Sequence, residues 1–394
     1  NSITSLSIDA VTDLTATLVA ADYAATAALT VTGTGKVNLG TAAVGFDGSS
    51  IDASANTGGL TVAATAALTS FKGSAGNDIL TGTGITSTAV IDAGAGIDSV
   101  AATLVNIGNS AVFKNFEQIE LAGATADGTL DAALLTGSTI TGVTINGALG
   151  GAFALSNLVE TAAGFNVGII SSATANTTLG FTAASVAGTA DVLNYNFAGT
   201  TGAIAGGTIT SQGIETINIS SKGGTGVTNS LTVVDNAAKS IVITGDKALT
   251  LDVTGQAAAS ATAASALTSI DASAATAGVT IVTHAVTTGA QSALTIKGSA
   301  FVDNITVVTT AGTTSVGATV TTGAGNDIVN VAGATAVSAT APQFTTVTDF
   351  AKGDALQFAV GTTLTQTKVD VSAQTSLIGA ITAATGDVGT AQWF

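Results

Sequence analysis

Short runs in which apolar residues alternate with Thr, Ser or Asn, broken at close intervals by glycine, recur along this chain. Leu6-Ser7-Ile8-Asp9, Leu29-Thr30-Val31-Thr32 and Lys36-Val37-Asn38-Leu39 open the series, and residues 116–121, 139–145, 214–219 and 240–244 continue it. A period of two is that of a half-buried strand, one face inward and the other wet. Gly33, Gly35 and Gly40 close the first runs as turns. Short helices interrupt the pattern only locally, as at residues 131–135. A single proline, Pro342, leaves backbone ladder pairing uninterrupted. The pattern predicts an all-β chain, an extended parallel β-solenoid or β-roll of stacked coils. Composition marks no boundary, so two organisations stay open: one continuous, bent solenoid, or segments 1–105, 106–245 and 246–394.

Between residues 71 and 101 the turns change character. Gly73-Ser74-Ala75-Gly76-Asn77-Asp78-Ile79-Leu80 and Ala93-Gly94-Ala95-Gly96-Ile97-Asp98-Ser99-Val100 are glycine-rich turns that end in aspartate and pass at once into an apolar residue or a short β run. This is the pattern G-G-x-G-x-D-x-U-x. A hard cation such as Ca2+ takes about six to eight oxygens, which backbone carbonyls of a tight turn plus one carboxylate per turn can supply. Glycine suits such a turn because carbonyls converge where φ is positive. The bland alternative for each aspartate is an Asx turn, in which the carboxylate caps its own backbone.

The same text returns later. Lys297-Gly298-Ser299-Ala300-Phe301-Val302-Asp303-Asn304-Ile305 aligns with Lys72 to Leu80, and Thr322-Gly323-Ala324-Gly325-Asn326-Asp327-Ile328-Val329 repeats the second turn. Upstream of each copy stands the phrase SIDASA, beginning at Ser50 and at Ser269. Asp98 follows Asp78 by 20 residues and Asp327 follows Asp303 by 24. A regular nonapeptide array returns to one face after about 18, so coils here carry insertions. Val347-Thr348-Asp349-Phe350-Ala351-Lys352-Gly353-Asp354 forms a further aspartate turn leading into Ala355–Phe358. Lys72 and Lys297 hold matching places before the glycine turns, where a lysine can guard an edge strand.

On these residues the sequence resembles the RTX family, whose nonapeptide repeats form right-handed parallel β-rolls with calcium between successive turns. The duplicated turns, set in Ala/Thr/Gly/Val-rich repeats bearing the SIDAS phrase, look like the lattice-forming region of bacterial surface-layer proteins exported by type I secretion. Ser74 and Ala93 depart from the family's glycines. The resemblance implies Ca2+ as cofactor, held by Gly73, Ala75, Asn77, Asp78, Asp92, Gly94, Gly96 and Asp98 in the first copy. In the second it implies Gly298, Asp303, Gly323, Gly325, Asn326 and Asp327, with Asp349 and Asp354 in the closing turn. It also implies an extracellular place at the cell surface and self-association into a homo-oligomeric lattice. Attachment to a cell-surface glycan or lipopolysaccharide would then run through regions beyond this sequence. Asn1 in place of an initiator methionine points to a processed form or a fragment, and part of a carboxyl-terminal export signal is expected beyond Phe394.

Charge narrows the alternatives. Of 394 residues, 25 are acidic and 9 basic, every basic one a lysine, for a net −16. Nucleic acid is held by clustered Lys and Arg, so it is not the expected partner. No apolar run reaches the ~18 residues of a membrane-spanning helix, so no membrane insertion is expected. Cysteine is absent, which leaves metal ions to do what disulfides do in many secreted proteins. His284 is the only histidine, which argues against Ser-His-Asp catalysis and two-histidine metal sites. No enzyme activity is expected. The competing readings are a carbohydrate-active β-helix enzyme working with paired carboxylates and a repeat adhesin.

Overall fold

The computed structural model describes residues 3–40, 46–122, 128–173, 175–254, 265–284, 292–309, 317–333 and 345–358. Pro342 and the terminal Ala391-Gln392-Trp393-Phe394 run lie outside the described residues. The chain forms two compact units, Asn1–Thr200 with Ile204–Gln212, and Thr201–Ala203 with Gly213–Phe394. Each is an all-β solenoid in which strands pair in parallel with the strand two places on in sequence, except where a sheet ends, as at Phe113–Lys114. Among the described residues the only helical elements are short 3-10 turns, one of them Ala132–Leu134, capped by the Asp131 carboxylate. None is long and apolar enough to cross a membrane.

In the first unit a sheet of six strands, Ile3–Ala10, Tyr23–Gly33, Ser50–Asn56, Ser70–Lys72, Val90–Asp92 and Phe113–Lys114, forms one face. The strands between them, among them Leu60–Ala64, Ile79–Gly82, Ser99–Ala101 and Gln118–Leu121, form the second. Parallel pairing in register stacks like on like. Leu29, Ile51, Phe71, Ile91 and Phe113 make one inward column, and Val62, Leu80, Val100, Ile119, Val143, Val167 and Tyr195 make another. All are fully or almost fully buried. At about 25 cal/mol per Å2 of apolar surface, such columns supply the main drive for stacking, because no coil can bury its inward face alone.

The second unit repeats the plan. Ile217, Ile241, Ile270, Ile296 and Val320 stack on one face, and Leu231, Leu251, Ile281, Ile305 and Val329 on the other. Both SIDASA phrases are strands, Ser50–Asn56 and Ser269–Ala275, with identical alternation of buried and exposed positions. The next five strands of each copy also correspond one to one, so the duplication in sequence is a duplication of coils. Turn amides are satisfied internally. Buried Asn56 donates to the Gly33 and Gly35 carbonyls of the preceding coil and accepts from the Gly58 and Gly59 amides of its own.

The lysines before the turns do not guard an edge. Lys72 and Lys297 lie in strands paired on both sides and face the SIDASA aspartates one coil back, Nζ to Oδ2 3.8 Å for Asp52 and 3.1 Å for Asp271. Outward-facing positions in register across a parallel pair put these opposite charges side by side.

Candidate metal centre

Each aspartate turn sits where the chain leaves one face of the solenoid for the other, and parallel stacking brings successive turns together. Asp78, Asp98, Asp303 and Asp327 are all fully buried. Their carboxylates reach along the coil axis to the backbone of neighbouring turns. Asp78 Oδ1 accepts from the Leu60 amide at 2.5 Å and the Ser74 hydroxyl at 2.8 Å, and its Oδ2 from the Ser74 amide at 2.6 Å. The Asp78 amide donates to Asp98 Oδ1 at 2.7 Å, and the Asp98 amide to Glu117 Oε2 at 2.9 Å. Three acidic residues thus form a ladder over three coils.

The second copy builds the same ladder. Asp303 Oδ1 accepts from the Val279 amide and the Ser299 hydroxyl, and Oδ2 from the Ser299 amide. The Asp303 amide donates to Asp327 Oδ1 at 2.8 Å, and the Asp327 amide to Asp354 Oδ1 at 3.1 Å. In each ladder the first carboxylate has donors on both oxygens. The second does not: Asp98 Oδ2 and Asp327 Oδ2 are buried with no hydrogen-bond partner.

Glycine serves these turns in two ways. Gly94 and Gly96, and their counterparts Gly323 and Gly325, have positive φ, as the turn chemistry requires. Gly73 and Gly298 do not; they are needed for space. A Cβ on Gly73 would lie 1.9 Å from the Ala93 carbonyl oxygen and 2.4 Å from Asp78 Oδ2, and one on Gly298 would lie 2.2 Å from the Thr322 oxygen and 2.4 Å from Asp303 Oδ2. Oxygens also crowd the second turns. The point a Cβ on Gly96 would occupy is 2.7 Å from Gly76 O and 3.0 Å from Asp98 Oδ1; at Gly325 the matching distances are 2.8 Å to both Phe301 O and Asp327 Oδ1. Carboxylate and carbonyl oxygens of adjacent coils therefore converge on the hollows that glycine leaves open.

Electrostatics follow from this crowding. Burial, aided by the charges of Asp78, Glu117 and Asp92, pushes the Asp98 carboxyl up to about 7, against the lowering effect of the Asp78 amide. Burial likewise raises Asp78, Asp303 and Glu117, each opposed by its hydrogen-bond donors. An ionised carboxylate with an unpartnered oxygen out of water is costly unless a positive charge meets it.

These observations decide how a calcium ion could fit. Among the described residues no three His, Cys, Asp or Glu side chains converge into a metal-holding group. A cage made of side chains alone is therefore not on offer. What a hard cation can use here is one free carboxylate oxygen per ladder, Asp98 Oδ2 or Asp327 Oδ2, in turns where Gly76 O and Phe301 O already stand close to the other oxygen of the same carboxylate.

The remaining candidates divide. Asn77 and Asn326 reach the next coil, Asn77 Oδ1 accepting from the Ile97 amide at 3.0 Å and Asn326 Oδ1 lying against Gly353. Ala75 contributes its amide to the Asn56 carbonyl, a turn role. Asp92 lies outside the ladder; its Oδ1 accepts from the Gly94 amide and the Asn115 side chain. Asp349 clamps the Thr322 and Gly323 amides, which hold its carboxyl below the usual range despite some burial. Asp354 closes the second ladder, its Oδ2 bound by the Ala351 amide. Sequence reading missed Glu117, the first copy's counterpart of Asp354, although it stands 19 residues after Asp98, close to one coil length. It also treated Ser74 as a lost glycine, whereas Ser74 and Ser299 each give their aspartate two bonds. Their shared place in the Gly-Ser-Ala triplets at 73–75 and 298–300 was the available signal. His284 Nε2 lies 2.8 Å from Asp252 Oδ1 and is a rung of neither ladder.

No protein-family model matches this chain, and no curated protein matches it.

Proposed function

We propose that this chain is a structural, self-assembling protein of a bacterial surface layer, with calcium as ligand of its aspartate turns and cement of its lattice. The observation that carries the reading is the pair of matched ladders, each with one buried carboxylate oxygen that has no donor, Asp98 Oδ2 and Asp327 Oδ2. The resemblance of the two copies to RTX repeats supports the same reading, and with it export by type I secretion to the cell surface. Net charge −16 with nine lysines means that copies repel one another, and a divalent cation removes that repulsion while it rigidifies the turns. Monovalent salt screens within about 8 Å at physiological strength but cannot bridge.

The test is negative-stain imaging of the purified chain in a few millimolar calcium and in sodium chloride of matched ionic strength. Ordered two-dimensional sheets in calcium alone are expected. Equal sheets in sodium would replace bridging by screening, and no sheets in either would refute the lattice function of this chain.

A further inference from the structure

On the outward side of the six-stranded sheet of the first unit, register sets Asp52, Lys72, Asp92 and Lys114 on four successive coils in a single column. Adjacent coils are about 4.8 Å apart. The signs alternate, and the column is neutral in a chain of net −16. Two of the nine lysines stand in it. Lys72 and Asp52 keep 63% and 48% of their side-chain surface exposed, and Lys114, also exposed, takes no salt-bridge partner among the described residues. Beside this column runs another of small side chains, Ser50, Ser70 and Val90, which lets a second surface come close.

We propose that this sheet face is a self-pairing surface, on which a second copy docks antiparallel through the Asp52–Lys72–Asp92–Lys114 column. The occupant follows from the arithmetic of the signs. Read backwards, an even-numbered alternating array is its own complement. A two-fold axis along the strands, passing between the Lys72 and Asp92 coils, therefore sets Asp52 against Lys114 of the other copy and Lys72 against Asp92, each pair occurring twice. That is an isologous interface. The in-register parallel arrangement sets every charge against its like and is rejected by the same column, and one shifted by a coil forms three opposite pairs against the four of the antiparallel one. Exposed ion pairs are individually weak, so a single such interface is weak and salt-sensitive. Repeated over a sheet of copies, it gains by multivalency. The inference deepens the lattice reading by naming one of its contacts, and in that sense rests on it.

Two experiments on the full chain test it. Sedimentation at low ionic strength compares wild type with Lys114→Glu, which reverses two of the four pairs without touching an internal ion pair. Self-association weakened about tenfold or more is expected, with the melting temperature lowered only slightly by the added negative charge in register with Asp92. Second, since the chain has no cysteine, Ser70→Cys and Ser50→Cys chains can each be treated with a bis-maleimide spanning the ~10 Å between packed sheets. The antiparallel axis sets residue 70 of the two copies one coil apart and residue 50 three coils apart, offsets of about 5 and 14 Å along the column, so Ser70→Cys cross-links with itself and Ser50→Cys does not. Association of Lys114→Glu equal to wild type, or cross-linking of Ser50→Cys as efficient as that of Ser70→Cys, overturns the proposal. Calcium sheets that persist in Lys114→Glu with no Ser70→Cys cross-link sink this face and leave the lattice standing. Antiparallel pairs without sheets in calcium do the reverse.

Discussion

Replacing Asp98 by asparagine separates a cation ligand from a turn residue, because the two oxygens of this carboxylate do different things. Oδ1 accepts the Asp78 amide, a bond the asparagine carbonyl keeps, while Oδ2 is buried without a partner. In the metal-free protein the carboxyl titrates near 7 instead of 3.8. Between those values the folded chain holds a proton that the unfolded chain has lost, so stability falls as pH rises from about 4 to about 7 and stays low above. Roughly three units at 1.36 kcal/mol each make about 4 kcal/mol. Solvent just outside the exposed Gly94–Ile97 turn screens the charge, and a cost of about 2 kcal/mol is the better figure. Asp98→Asn removes that cost. In chelator at pH 8 it should melt about 4–8 °C above wild type, since 1 kcal/mol is worth about 2–4 °C in a unit of this size. The advantage should shrink as pH falls and vanish below about 4. In calcium at about ten times its dissociation constant, wild type gains ~1.4 kcal/mol per site. The variant forgoes that gain, so its lead should narrow, and should reverse at higher calcium. Thermal unfolding by circular dichroism, over pH 4–8 with and without calcium, reads all of this. A variant less stable than wild type by the same amount in calcium and in chelator would refute the reasoning, since the carboxylate would then serve the turn alone.

Other substitutions have different signatures. Asp78→Asn sets an amide group against the Ser74 amide that now donates to Oδ2, so it should cost about 1–3 kcal/mol even in chelator, read by urea denaturation. Gly73→Ala drives a methyl group into the Ala93 carbonyl, and a loss of about 1–3 kcal/mol is expected in the same assay, with or without calcium. Asn56→Ala strips the Gly58 and Gly59 amides of their acceptor. It should lower the melting temperature equally in calcium and chelator, which makes it a control for damage at a turn one coil before the first ladder that carries no carboxylate.

The solenoid was legible because its signals are local and repeated. Alternation at residues such as Leu29-Thr30-Val31-Thr32 names the inward face, and SIDASA recurring at Ser50 and Ser269 names one coil twice. Positive φ at Gly94, Gly96, Gly323 and Gly325 was likewise written in the turn motif. What depends on which coils touch was not. The space filled at Gly73 and Gly298 comes from the carbonyl of the next coil, which no window on the sequence displays. Glu117 carries no glycine turn, so only its spacing from Asp98 marks it as the third rung. Lys72 was read as guarding an edge strand until register paired its strand on both sides and placed Asp52 beside it. The ladder itself also escaped the motif: one aspartate per turn suggests one ligand per turn, whereas the first carboxylate of each pair is already filled by backbone donors.

Calcium binding by the two unpartnered oxygens is the central claim, and equilibrium dialysis against calcium of the full chain beside its Asp98→Asn, Asp327→Asn double variant tests it most directly. The wild type should bind calcium at millimolar concentration or below, and the double variant should lose at least one ion from each ladder while remaining folded by circular dichroism. Equal binding by the two proteins, or none by the wild type at millimolar calcium, would contradict the account.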